Sequence, residues 1–190
     1  MAFISCGNNE NKIESEKNSA ADLDRKYKEI GQRITEESFN TLRNKLMEAM
    51  ASREISGAIE FCNIAAYPIT DSLSKEFNAQ IKRTTFKFRN PNNAPNDKEA
   101  AILEYFEKLH ASGTQPKDSV ITINDKQVWY IRPIFVQGIC QNCHGNIGST
   151  IAQNNYDVIK KLYPEDKAID YKSGDFRGIW SVIINTDDKK

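Results

Sequence analysis

Cys140-Gln141-Asn142-Cys143-His144-Gly145 is the stretch on which the reading of the whole chain depends. Two thiols three positions apart, with a histidine directly behind them, form the attachment signature of a c-type haem. Each thiol adds across one vinyl group of the porphyrin, and the imidazole that follows is then held where it ligates the iron. The alternatives fit less well. A redox CxxC asks for a βαβ context and needs no histidine behind it. A structural zinc site needs a second ligand pair, whereas the other cysteines stand alone at positions 6 and 62. The spacing therefore nominates Cys140 and Cys143 as covalent anchors of one haem c per chain, with His144 as the proximal ligand.

The surrounding 190 residues suffice for one domain with a buried core and a terminal extension. Lys and Arg number 26, as do Asp and Glu, so no charge bias points to nucleic acid or a membrane surface. Mean hydropathy is −0.62, and no apolar run approaches the length of a membrane span. Covalent haem attachment takes place outside the cytoplasm, which predicts an exported, periplasmic or otherwise extracytoplasmic protein. Residues 1–20 support that reading: Phe3-Ile4-Ser5-Cys6-Gly7 resembles the tail of a bacterial lipoprotein signal, and a polar stretch follows. Lipid on Cys6 and a disordered tether would hold the domain of residues 21–190 beside a bacterial membrane.

Apolar residues at three- and four-residue spacing predict a helix over 21–52, through Leu23, Tyr27, Ile30, Ile34, Phe39, Leu42 and Leu46, with Gly31 its weak point. A second helix is predicted over 55–77, with Ala58, Cys62, Ala65, Ala66, Ile69 and Leu73 on one face and a kink at Pro68. Small residues around Cys62 leave room for something flat and large. A lone cysteine on such a face is ordinarily a small core residue, but an iron held by one histidine needs a second partner or an open site. Alternation predicts a strand over 81–89, ending in the turn-rich Asn90–Pro95. Asn96 and Glu99 form a capping box for a helix over 97–111. Residues 119–123 and 127–132 read as a β-hairpin, 151–163 as a helix and 179–184 as a last strand. Helices combined with antiparallel strands make an α+β domain.

Beyond the haem motif, the chain carries Ile59-Glu60-Phe61-Cys62, Lys82-Arg83-Thr84-Thr85, Arg89 through Pro95, Tyr130-Ile131-Arg132-Pro133-Ile134, Tyr163 through Ala168 and Gly174-Asp175-Phe176-Arg177-Gly178. In that order and spacing, over about residues 22–186, it resembles the family of single-haem c-type cytochrome domains with a PAS-like fold, which includes a cyanobacterial haem protein and sensor regions of bacterial signalling proteins. The resemblance implies an antiparallel sheet of about five strands flanked by helices, with haem between the sheet and the cysteine-bearing helix. It also implies His/Cys axial ligation, carried here by His144 and Cys62. His110, Met47 and Met50 are the rival ligands; a solvated histidine at a helix C-terminus and a methionine core stripe are their plainer readings. Lys82, Arg83, Lys87, Arg89, Arg132 and Arg177 are cations available to the haem carboxylates, and Arg83, Arg89 and Arg132 are carried forward as cofactor-binding candidates; ordinary strand-face charge is the other reading.

Thiolate opposite histidine favours the ferric state and a low potential. The expected function is a redox or small-ligand (NO, CO) sensor acting through a separate redox or signalling partner, with a membrane-tethered electron-transfer cytochrome as the alternative. No enzymatic role is expected, since no distal acid–base histidine is apparent. The N-terminal helix is a surface on which two copies could pair as a homodimer.

Overall fold

The computed structural model describes the backbone of residues 7–186 and the side chains of residues 21–186. Its elements are α1 (Gly7–Glu76), β1 (Ala79–Thr84), α2 (Asp97–Ala111), β2 (Ser119–Asn124), β3 (Gln127–Phe135), α3 (Gln141–His144), α4 (Gln153–Leu162) and β4 (Phe176–Asn185). The strands form one antiparallel sheet in the order β1-β4-β3-β2. The fold is α+β as expected, with the four strands that the residues themselves mark, against the five or so that the resemblance implies. Cys6 lies outside the described residues, and the backbone of residues 7–20, read from sequence as part of a tether, continues α1.

Strand register sorts the side chains onto two faces. Ile81, Val182 and Tyr130 lie in one row across β1, β4 and β3, and Arg83, Trp180 and Arg132 lie in the next on the same face. The apolar members of this face meet Tyr27, Ile34 and Leu73 of α1. On the opposite face Trp129, Ile131 and Ile179 pack against Leu103 and Phe106 of α2. Helix α2 starts at the predicted capping box: Asn96 accepts from the Glu99 backbone and Glu99 from the Asn96 backbone, both at 3.0 Å.

Helix α1 is two arms. At Glu54 the backbone leaves helical geometry (φ 60°, ψ −171°), between the two helices that periodicity predicts. Ile34 on the first arm and Leu73 on the second belong to one buried cluster. Each lies about 30 Å along a straight helix from the break, so the arms must fold back on one another at Glu54. Gly57 permits this fold, because a Cβ there would collide with the Arg53 side chain. At Pro68 the backbone dihedrals of the second arm stay helical. The carbonyl it leaves unpaired is that of Ile64, a residue 75% exposed and so open to solvent.

The first arm is seated by a close approach and a polar clamp. Gly31, a weak point by propensity alone, lies flat against the ring of the fully buried Tyr130, where a Cβ would overlap the ring. The Asp118 carboxylate accepts from Tyr130 Oη at 3.0 Å and from Gln32 Nε2 at 2.7 Å, and pairs with Lys28 Nζ at 3.0 Å.

The predicted strand over 81–89 is cut at Thr84. There the Thr84 hydroxyl and the Thr85 N–H both donate to the Asn93 carbonyl (2.9 and 3.3 Å), turning the chain off the sheet. Residues 85–89 consequently reach toward the loop that follows α4.

Candidate functional site

The motif hangs from the end of β3. Val136 exchanges backbone hydrogen bonds with Gly174 and Asp175 (2.8 and 2.9 Å), and a single 3₁₀ turn, Gly138–Cys140, leads directly into α3. Cys140 Sγ accepts from the Gln137 N–H at 3.4 Å. The exit from α3 is braced by the segment 166–171. Tyr171 N–H donates to the His144 carbonyl and Asp170 N–H to the Gly145 carbonyl, both at 2.9 Å. Gly145 has no alternative at its position, since a Cβ would run into the Thr150 side chain and the Gln141 carbonyl.

His144 is oriented by the same segment. Its Nδ1 lies 2.8 Å from the carbonyl of Ala168. A carbonyl only accepts, so Nδ1 carries the proton and Nε2 keeps its lone pair, the arrangement of a metal-ligating histidine with its outer partner in place. Burial pushes the imidazole pKa well below its ordinary value, and the positive charges of Arg89, Arg177 and Arg83 push the same way, against the Ala168 carbonyl. The ring is neutral and available.

Arg89 is the strut behind this geometry. Its Nε and Nη2 reach Asp166 Oδ1 and Oδ2 at 3.1 and 3.2 Å, and Nη2 also donates to the carbonyl of Cys143 at 2.6 Å and of Ala168 at 3.3 Å. Asp166 Oδ1 in turn accepts from the Ala168 N–H at 2.9 Å. One guanidinium thereby joins the motif to the segment that orients its histidine. The roles of Asp166 and Ala168 were not read from sequence, although both lie in the Tyr163–Ala168 stretch that carries the family resemblance.

Cys62 sits half-buried on the second arm of α1, less than a turn beyond the buried Ile59. Ile59 packs with Ile151, Ile159 and Tyr163, and Cys143 packs against that cluster. Burial pushes the Cys62 thiol pKa up, opposed by the charges of Arg83 and Arg89. Burial also raises the Cys143 thiol, with Arg89 opposing and Cys62 and Cys140 adding to the rise. Arg89 is thus within electrostatic reach of Cys62, Cys143 and His144, and Arg83 of Cys62 and His144, which brings together α1, β1, the loop behind it and α3.

Arg132 is not part of that group. Its Nη1 donates to Thr35 Oγ1 at 3.0 Å and pairs with Glu36 at 3.2 Å, docking the first arm of α1 on β3. Arg83 differs from both Arg89 and Arg132. Its guanidinium lies 5.6 Å from the Trp180 ring centre, with no hydrogen-bond acceptor or carboxylate on it among the described residues. His110 lies on the α2 side of the sheet, its ring 5.7 Å from that of Phe135. Met47 is 40% exposed on the first arm and Met50 is half-buried there.

Among the described residues no three His, Cys, Asp or Glu side chains converge to hold a bare metal ion. The donor set fits a haem instead: two thiols precede an imidazole with a free Nε2, a third sulfur on a separate helix is within electrostatic reach of one of them, and a guanidinium nearby lacks an anion among the described residues. Residues 10–185 match the sequence profile of the Tll0287-like family. Among solved structures, the chain is similar to the cyanobacterial heme-protein Tll0287, with a TM-score of 0.58 and 23% identity over 85% of this chain and 98% of that one. No curated protein sequence matches it.

Proposed function

Because the chain belongs to the Tll0287-like family, we propose that it is an extracytoplasmic c-type haem protein that senses redox state or a small ligand such as NO or CO. The observation that carries the proposal is the Nδ1 bond of His144 to Ala168, which leaves Nε2 as a ready ligand beside two thiols. Haem bound there would supply a one-electron iron couple. Cys140 and Cys143 would hold it covalently, His144 Nε2 would serve as proximal ligand and Cys62 as distal ligand. Arg89 and Asp166 would keep the imidazole aimed by fixing both the Cys143 and Ala168 carbonyls. Cys62 belongs to an arm joined to the rest of α1 only through the strained Glu54, an arrangement suited to passing a change at the sulfur to a distant surface. Export and lipid on Cys6 would place the domain at a membrane, where a separate redox or signalling partner would receive the signal. No enzymatic activity is proposed.

The test is a set of spectra of the protein matured with haem-attachment machinery. Wild type should keep its colour after acidified-acetone extraction and show a low-spin ferric haem. Cys62→Ala should become high-spin or water-ligated and bind CO readily when reduced. Haem extracted into solvent would overturn covalent attachment, and an unchanged ferric spectrum in Cys62→Ala would remove Cys62 as a ligand. A fast reversible couple with no ligand binding in wild type would make the protein an electron carrier instead.

A further inference from the structure

Three guanidinium groups bring positive charge to bear on His144, and the charge around them does not balance. Arg83, Arg89 and Arg177 all act on the imidazole, and Arg83 and Arg89 both repel Arg177. Among the described residues, one carboxylate pairs with any of the three: Asp166, on Arg89. Arg177 has neutral company, donating to the Lys87 carbonyl at 3.0 Å and lying 5.0 Å from the Tyr171 ring centre. Arg83 has only the face of Trp180. A guanidinium lodged beside an indole without an anion bears a desolvation cost that an ion pair would offset. The chain has as many acidic as basic residues, yet among the described residues none pairs with Arg83 or Arg177.

We infer that Arg83 is the residue that holds a haem carboxylate, whereas Arg89 has its fork filled by Asp166 and Arg132 is turned to the first arm of α1, its Nη1 engaged by Thr35 and Glu36, and both act as struts. This rests on the proposed function above and assigns the polar edge of the same site. The planar fork of arginine suits a carboxylate through two parallel hydrogen bonds. Trp180, in the same strand row as Arg83, offers an apolar ring for the body of the ligand next to the charge for its edge. The charge of Arg83 reaches Cys62, Tyr67 and Tyr163 as well as His144, so it lies between the two sides of the site. Arg177 supplies a second positive charge nearby, with one of its N–H groups already engaged.

The experiment compares matured wild type with Arg83→Gln, Arg83→Lys, Arg177→Gln and Arg132→Gln. Its readouts are the propionate bending mode in resonance Raman and the pH dependence of the reduction potential. Arg83→Gln should shift the mode and make the potential rise as pH falls through the range of a solvated carboxylate, about pH 4 to 6. Wild type should stay flat there, because the paired carboxylate remains ionised. Arg83→Lys should retain haem and the flat profile but shift the mode, since the charge persists without the fork. Arg132→Gln should match wild type in both. An unshifted mode in both Arg83 variants, or a shift confined to Arg177→Gln, overturns the assignment. Failure of wild type itself to retain haem through acidified acetone would instead strike the functional proposal.

Discussion

The two arms of α1 lie against one face of one sheet and meet opposite polar surroundings. Beside the first arm, charges close on each other: Lys28, Gln32 and Tyr130 converge on Asp118, and Arg132 meets Glu36. Beside the second, Cys62 faces a group of guanidiniums that, among the described residues, shares a single carboxylate, Asp166. Both regions are partly buried and rich in ionisable groups, so burial does not separate them. Their balance does. A cluster complete in itself seats a helix, and a cluster short of anions keeps a place for a ligand that brings them.

The contrast breaks most sharply at Asp166. Asp166→Asn takes from Arg89 its carboxylate partner and should destabilise the matured protein by about 3–5 kcal/mol, measured by urea unfolding. It should also loosen His144, seen as heterogeneity in the ferric low-spin signal. A loss below about 1 kcal/mol would mean that the pair of Arg89 and Asp166 is as dispensable as a surface ion pair.

At the closed cluster, Asp118→Asn should cost about 1–3 kcal/mol at neutral pH and leave the haem spectrum unchanged. Burial alone would raise the Asp118 pKa, but hydrogen bonds from Gln32, Lys28 and Tyr130 bring it below its ordinary value. The folded carboxyl then titrates below its unfolded value of about 4, so the advantage of wild type is full above that pH and fades as pH falls through the lowered folded value. A gap between wild type and variant that widens on acidification would contradict this. The smallest effect concerns the join between the arms. Glu54 has a positive φ that a side chain opposes, and Glu54→Gly should raise the unfolding free energy by about 0.5–1 kcal/mol, read from the shift in urea midpoint. Destabilisation by the same change would mean that the Glu54 side chain, not the packing of the arms, holds the turn.

Much of this was legible in the residues, for local reasons. The helix stripes stop and restart on either side of Glu54, and the capping box at Asn96 needs only residues three apart. The CxxCH stretch from Cys140 to His144 is contiguous, so it can be read without a fold. The misreadings were equally local in origin. Alternation continues past Thr84, yet the Asn93 carbonyl takes the chain off the sheet. Proline at 68 draws the eye as a break, yet the dihedrals stay helical there and leave helical geometry at a glutamate.

Sequence alone determined the element types, the two thiols with their histidine, and the small-residue face that presents Cys62. Only the tertiary structure decided which nitrogen of His144 is free, because its partner Ala168 lies 24 residues away. It also decided which arginine stands alone. Arg83, Arg89 and Arg132 are alike as letters, and Asp166 and Glu36, the carboxylates that engage two of them, lie 77 and 96 residues distant. Spacing along a chain encodes what neighbours do together; whether a charge is matched depends on which distant segments packing brings beside it.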